Sequence, residues 1–168
     1  MEAELTRASD DPPPAGVEQA AVPAEALATA RARRSDLHDL IVALEAAIAA
    51  PAPRPTWAQG VHDALVDVGA AFERHIATVE GPDGLFEEVT HAAPRLANAL
   101  DRLREEHREI RASIVAALDG VRLTSDRPLR SDDGREVVIA LIDSLMRHRQ
   151  HGADVVYEAY AVDIGAGD

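Results

Sequence analysis

The chain of 168 residues has no cysteine, and that one absence removes disulfides, thiolate metal ligands, iron–sulfur clusters and a cysteine nucleophile together. Any metal it holds must be bound through nitrogen and oxygen. Lysine is missing as well, so every fixed positive side chain is an arginine. Aromatic residues are few, which leaves the core to alanine, leucine and valine, a composition that reads as helical. No apolar run approaches the length that a membrane span needs. Positive charge is in deficit: 17 basic residues face 30 acidic ones, for a net charge of −13, and such a field repels phosphate backbones and anionic lipid surfaces. Neither nucleic acid nor a membrane is an expected partner. The local cluster Arg31, Arg33 and Arg34 reads as the solvated start of a helix.

Residues 1–23 have the composition of a disordered, acidic, Pro-rich tail, with Pro12, Pro13 and Pro14 barring helix and too little apolar surface to pack. The tail has no apolar stretch of the kind a secretory signal needs, which makes the cytoplasm the expected compartment. Residues 24–164 then read as a single domain of four amphipathic helices. Helix A is expected from Ala24 to about Ala50, where Pro51, Pro53 and Pro55 stop it, with Leu37, Ile41, Leu44 and Ile48 as its apolar stripe. Helix B is expected from Thr56 as N-cap to Gly81-Pro82, with Trp57, Val61, Leu65, Val68 and Phe72 on one face.

GPDGLFEEV reads as a turn with Leu85 and Phe86 as anchors. Helix C is expected from Ala92 or Pro94 to Asp119 with Gly120 as its stop, and helix D from a cap at Ser131 or Asp132 to about Val162. Four such helices joined by short to medium loops imply an all-α, antiparallel up-down-up-down four-helix bundle.

Each expected helix carries one histidine on or beside its apolar stripe: His38 in A, His75 in B, His107 in C and His148 in D. Neutral imidazole is the commonest nitrogen ligand for iron, zinc and copper, and a bundle builds a metal site by converging side chains from separate helices. A single histidine on such a stripe is ordinarily a hydrogen-bonded core residue; four on four helices favour a shared ligand set. At about 1.5 Å of rise per residue the four heights agree only loosely. His62 and His91 fall on polar positions and read as exposed.

The strings LHDLIVALEAAI, FERHIATVEGPDGLFEEV, LREEHREI and LMRHRQHGADVVYEAY follow one another in the order of the hemerythrin-like HHE cation-binding domain, which the chain resembles over residues 30–163. Glu106-His107 and Leu85-Phe86 are the clearest local signatures. The resemblance implies a four-helix bundle holding a non-haem di-iron or variant mononuclear centre, with His38, His75, His107 and His148 as nitrogen ligands and two carboxylates bridging. It further implies dioxygen, nitric oxide or peroxide as the small-molecule partner, in binding, sensing or iron handling.

The chain departs from that pattern at the carboxylates. One turn after His75 and His148, where the family carries acids, stand Val79 and Gly152. Glu80 follows His75 by five residues and is rotated from it by roughly 140° in a regular helix. A one-residue π-bulge before Gly81-Pro82 would turn it back, which keeps Glu80 as a candidate ligand. In helix D, His151, Asp154 and Glu158 lie on one strip beside the His148 face, as lesser ligand candidates or as a solvated edge. Glu158 is about 15 Å along the axis from His148, too far to share its metal. Glu45, two turns after His38, is either an orienting partner for an imidazole or a side chain that snorkels to solvent. Two other readings of the whole stay open: a metal-free helical interaction or regulatory module, and a metal- or haem-dependent enzyme, in which case an iron-dependent oxidoreductase.

Overall fold

The computed structural model describes residues 24–51, 54–121 and 131–161, and every regular element among them is a helix. The tail expected over residues 1–23 and most of the polar loop before the last helix lie outside the described residues. The helices are α1 (Ala24–Ala49), α2 (Arg54–Glu80), α3 (Leu85–Ala92), α4 (Ala97–Val121) and α5 (Ser131–Ala161). No helix of the described residues is long and apolar enough to cross a membrane.

The differences from the expected boundaries have local causes. α2 begins at Arg54, ahead of Thr56, because Pro55 is tolerated in a first turn whose N–H groups have no intrahelical partner. The stretch read as a turn is a turn only over Gly81-Pro82-Asp83-Gly84, after which α3 forms. Glu87 and Glu88 lie in the first turn of α3, where negative charge meets the positive end of the helix dipole, and Glu87 Oε2 accepts from the Asp83 N–H at 3.1 Å. Phe86 and Val89 bury the inner face of α3. Gly84 is required here, since a Cβ at that position would stand 2.6 Å from the Gly81 carbonyl oxygen. A 3₁₀ turn over Pro94–Leu96 leads into α4, which runs through Gly120, the expected stop, to Val121.

α1 packs on α2 and α5, and α4 packs on α2 and α5, so the four long helices close a ring of neighbours; α3 covers one end against α2 and α5. The α1–α2 corner is fastened by the carbonyl of Ile48, one of the orphan acceptors at a helix C-terminus. It accepts from Trp57 Nε1 at 3.2 Å and from the Arg135 guanidinium, which also lies over the Trp57 ring.

The core falls into two apolar clusters. The larger holds Leu44, Leu65, Phe72, Ile110, Ile114, Leu141 and Leu145; the smaller holds Val79, Phe86, Val89, Leu100, Leu103 and Val155. Along α2 and α5 the chain meets the larger cluster first, whereas α4 meets the smaller one first. His107 and His148 fall where their helices pass from one cluster to the other, and His75 lies next to Ile76, the last α2 residue of the larger cluster before Val79 of the smaller. Leu145 is fully buried, so Leu145→Ala is expected to lower the unfolding free energy by about 2–5 kcal/mol. Tyr157, 75% exposed on the same helix, is expected to tolerate alanine within about 0.5 kcal/mol, and urea denaturation reads both.

Candidate metal centre

Three of the four striped histidines meet. His107 Nε2 lies 3.1 Å from His148 Nε2, which lies 3.3 Å from His75 Nε2. All three offer ligand atoms within 4.8 Å of one another. His107 and His148 are buried and His75 is partly buried. Tetrahedral sites with metal–nitrogen bonds of about 2.0–2.1 Å have nitrogen edges of about 3.3 Å, and six-coordinate sites somewhat shorter ones, so the His107–His148 and His148–His75 separations match the edges of a first-row ion's site.

What lies behind the imidazoles fixes which nitrogen faces the centre. His148 Nδ1 donates to Glu106 Oε2 at 2.9 Å, and His107 Nδ1 donates to Glu80 Oε1. An ionised carboxylate only accepts, so the proton of each neutral ring sits on Nδ1 and the lone pair on Nε2. Two Nε2 lone pairs then face each other across 3.1 Å, an arrangement that a cation between them stabilises. A carboxylate behind a ligating imidazole is the usual support of such sites, holding the tautomer and the ring plane. Phe72 supports the three rings from the larger cluster, its centroid 5.7–6.0 Å from each, and Phe86 stacks on His107 at 5.8 Å. Beside the rings is a cavity of about 60 Å³ with mostly hydrocarbon walls.

The other sequence candidates are placed elsewhere. His38 stands apart from the three: its Nδ1 accepts from Arg149 Nη1 at 2.9 Å, so it is bonded to a cation at that nitrogen. Glu80 reaches the site without a π-bulge, since α2 stays α-helical to its last residue, and it touches the back of His107. His151, half exposed, donates Nδ1 to Glu106 Oε1 at 2.6 Å and so joins the outer hydrogen-bond layer. Asp154 accepts from Gln150 at 2.7 Å, Glu158 is exposed with its backbone carbonyl accepting from Arg95, and Glu45 is exposed on α1.

Two functional residues escaped the sequence reading. Glu106 was visible there only as the neighbour of His107, yet it faces His148 and His151 across the α4–α5 interface. Arg149 follows His148 and lines the cavity. An acid or a base adjacent to a striped histidine on a facing helix is the signal that could have found both.

Burial lowers the pKa of His107, with the bond to Glu80 opposing and the neighbouring His148 adding to the fall. Burial likewise lowers His148 against the opposing bond to Glu106. Burial raises the Glu106 carboxyl, but hydrogen bonds from His151 and His148 bring it below its ordinary value. A histidine with a folded pKa below its unfolded one binds fewer protons in the folded state between the two values, so stability rises with pH across that window. The metal-free protein is therefore expected to hold constant stability above the ordinary histidine value of 6.5 and to lose it progressively below. Glu106 adds a loss of the same sign below 4.5. Urea midpoints measured between about pH 7.5 and pH 4 check this; midpoints that rise as the pH falls below 6.5 would refute it.

No family model matches the chain, and no curated protein and no solved structure is significantly similar to it.

Proposed function

We propose that the chain is a cytoplasmic, hemerythrin-like protein: an up-down-up-down four-helix bundle that holds non-haem iron on His75, His107 and His148 to bind or sense a small molecule such as dioxygen, nitric oxide or peroxide. The observation that carries this is the meeting of three Nε2 atoms, two of them backed by carboxylates on Nδ1. The up-down path is supported by the opposite order in which α4 and its neighbours α2 and α5 traverse the two apolar clusters. Iron is chosen on the resemblance; the nitrogen set itself suits several first-row ions.

The arrangement favours one ion over a bridged pair. A pair needs carboxylates between its metals, whereas Glu80 and Glu106 are engaged behind imidazoles and His38 is tied to Arg149. Three protein ligands leave coordination positions open, and a ferrous ion there supplies a binding position for a small molecule. The chain's own part is to hold the ring planes through Glu80 and Glu106, and to keep water from the apolar side with Val79, Phe86, Leu103 and Val155.

Anaerobic reconstitution with ferrous iron, followed by elemental analysis and thermal melting, tests the reading. About one iron per chain and a raised melting temperature are expected, both lost in His107→Ala. Glu106→Gln should weaken the metal about 10–100-fold without unfolding the protein. Two irons per chain would replace the single site by a pair. No uptake and no shift at saturating iron would sink the proposal and leave a metal-free interaction module.

A further inference from the structure

The cavity beside the histidines has two kinds of wall. Most of it is hydrocarbon, from Val79, Phe86, Leu103 and Val155 among others, but α5 brings Arg149 and Gly152 to the same space as His148. Arg149 is a permanent cation. Among the described residues its hydrogen-bond partner is His38 Nδ1, a neutral acceptor, and no carboxylate is paired with it. Gly152 lies one turn after His148 on the same face of α5. A Cβ built on Gly152 would meet nothing within 4 Å. Glycine inside a helix is less favourable than alanine, so this position gives up helix stability for open space next to a ligand histidine.

Arg149 is the one charged side chain among the described residues that line the cavity. An ion on three neutral imidazoles keeps its full positive charge, and Arg149 brings another cation to the same cavity. Glu80 and Glu106, the acids hydrogen-bonded to His107 and His148, face the outer nitrogens of those rings. A cavity with a doubly cationic floor and hydrocarbon walls is complementary to a molecule that carries one negative group on a short apolar body.

We propose that the cavity takes a small organic carboxylate. Its carboxyl group sits between the three-histidine centre and Arg149 in the space left at Gly152, and its hydrocarbon part, a few carbons long, lies against Val79, Phe86, Leu103 and Val155. The molecule supplies from outside the acidic group that the chain does not place one turn after His148. For one of its two cationic partners the inference rests on the metal reading above; Arg149 is the other.

Butyrate is the probe, titrated by calorimetry into full-length protein both loaded with cobalt(II) and metal-free, with butyramide as the uncharged control. Saturable butyrate binding is expected in the cobalt form, with a change in the cobalt visible spectrum, and butyramide should bind at least about tenfold more weakly. Arg149→Gln should weaken butyrate about tenfold or more in both forms. Gly152→Asp places a carboxylate in the open space and should abolish butyrate binding while cobalt still binds. Butyrate no tighter than butyramide, or unaffected by both substitutions, overturns the inference while cobalt uptake leaves the metal reading standing. If the protein takes up no cobalt, the metal reading fails and the metal-free titration decides: Arg149-dependent butyrate binding upholds the inference, and its absence ends it. Should Arg149→Gln fail to fold by circular dichroism, the butyramide comparison and Gly152→Asp carry the test.

Discussion

A buried imidazole has two nitrogens and both need a partner, and the centre of this protein is organised by that requirement. Leaving a polar group unpaired in a hydrocarbon core costs a few kcal/mol, comparable to a large share of a domain's net stability. For His107 and His148 the Nδ1 side is met by Glu80 and Glu106, carboxylates from a neighbouring helix in each case, so α2, α4 and α5 are tied together at one level. The Nε2 side is turned inward onto the other histidines. Satisfying the outer nitrogens is what aligns the inner ones, and the alignment is what creates a ligand set.

The same layer divides the hydrophobic core. Phe72 closes it from the side of the larger cluster and Phe86 from the side of α3, so His75 stacks on Phe72 and His107 on Phe86, while Phe72 meets His107 and His148 edge to face. In a chain with only two phenylalanines, both are spent on this one level. The larger cluster joins all four long helices, whereas the histidine layer is contributed by α2, α4 and α5 alone.

The sequence made the helical class and the inward histidines legible, because a repeat of three to four residues is a local property that one strand of text displays. His75, His107 and His148 sit on the same stripe as Phe72, Leu103 and Leu145, and the structure brings those three rings to one point. His38 lies on the border of its stripe, and the pairing that holds it depends on Arg149, more than a hundred residues away. Glu106 was hidden for the same reason: its two partners lie on another helix. α3 was read as a turn because Gly81, Pro82 and Gly84 dominate a short window, while the capping by Glu87 and the burial of Val89 depend on where the chain lands.

The position of the carboxylates decides what kind of centre these histidines can make. An acid one turn after His75 or His148 would point with the imidazole toward the cavity and could bridge two ions. Val79 instead adds hydrocarbon to the cavity wall, Gly152 adds space, and the acids that do reach the site approach it from behind the rings. Moving negative charge from in front of the ligands to behind them leaves the ligand atoms and their tautomers in place but removes the anions that would hold two metals close together. It also leaves the inner space net positive once an ion is bound, and Arg149 increases that excess at the open side. On the proposed reading such a site takes a single metal and an anion from solution, and its selectivity lies in the hydrocarbon walls, which limit the size of what accompanies the charge.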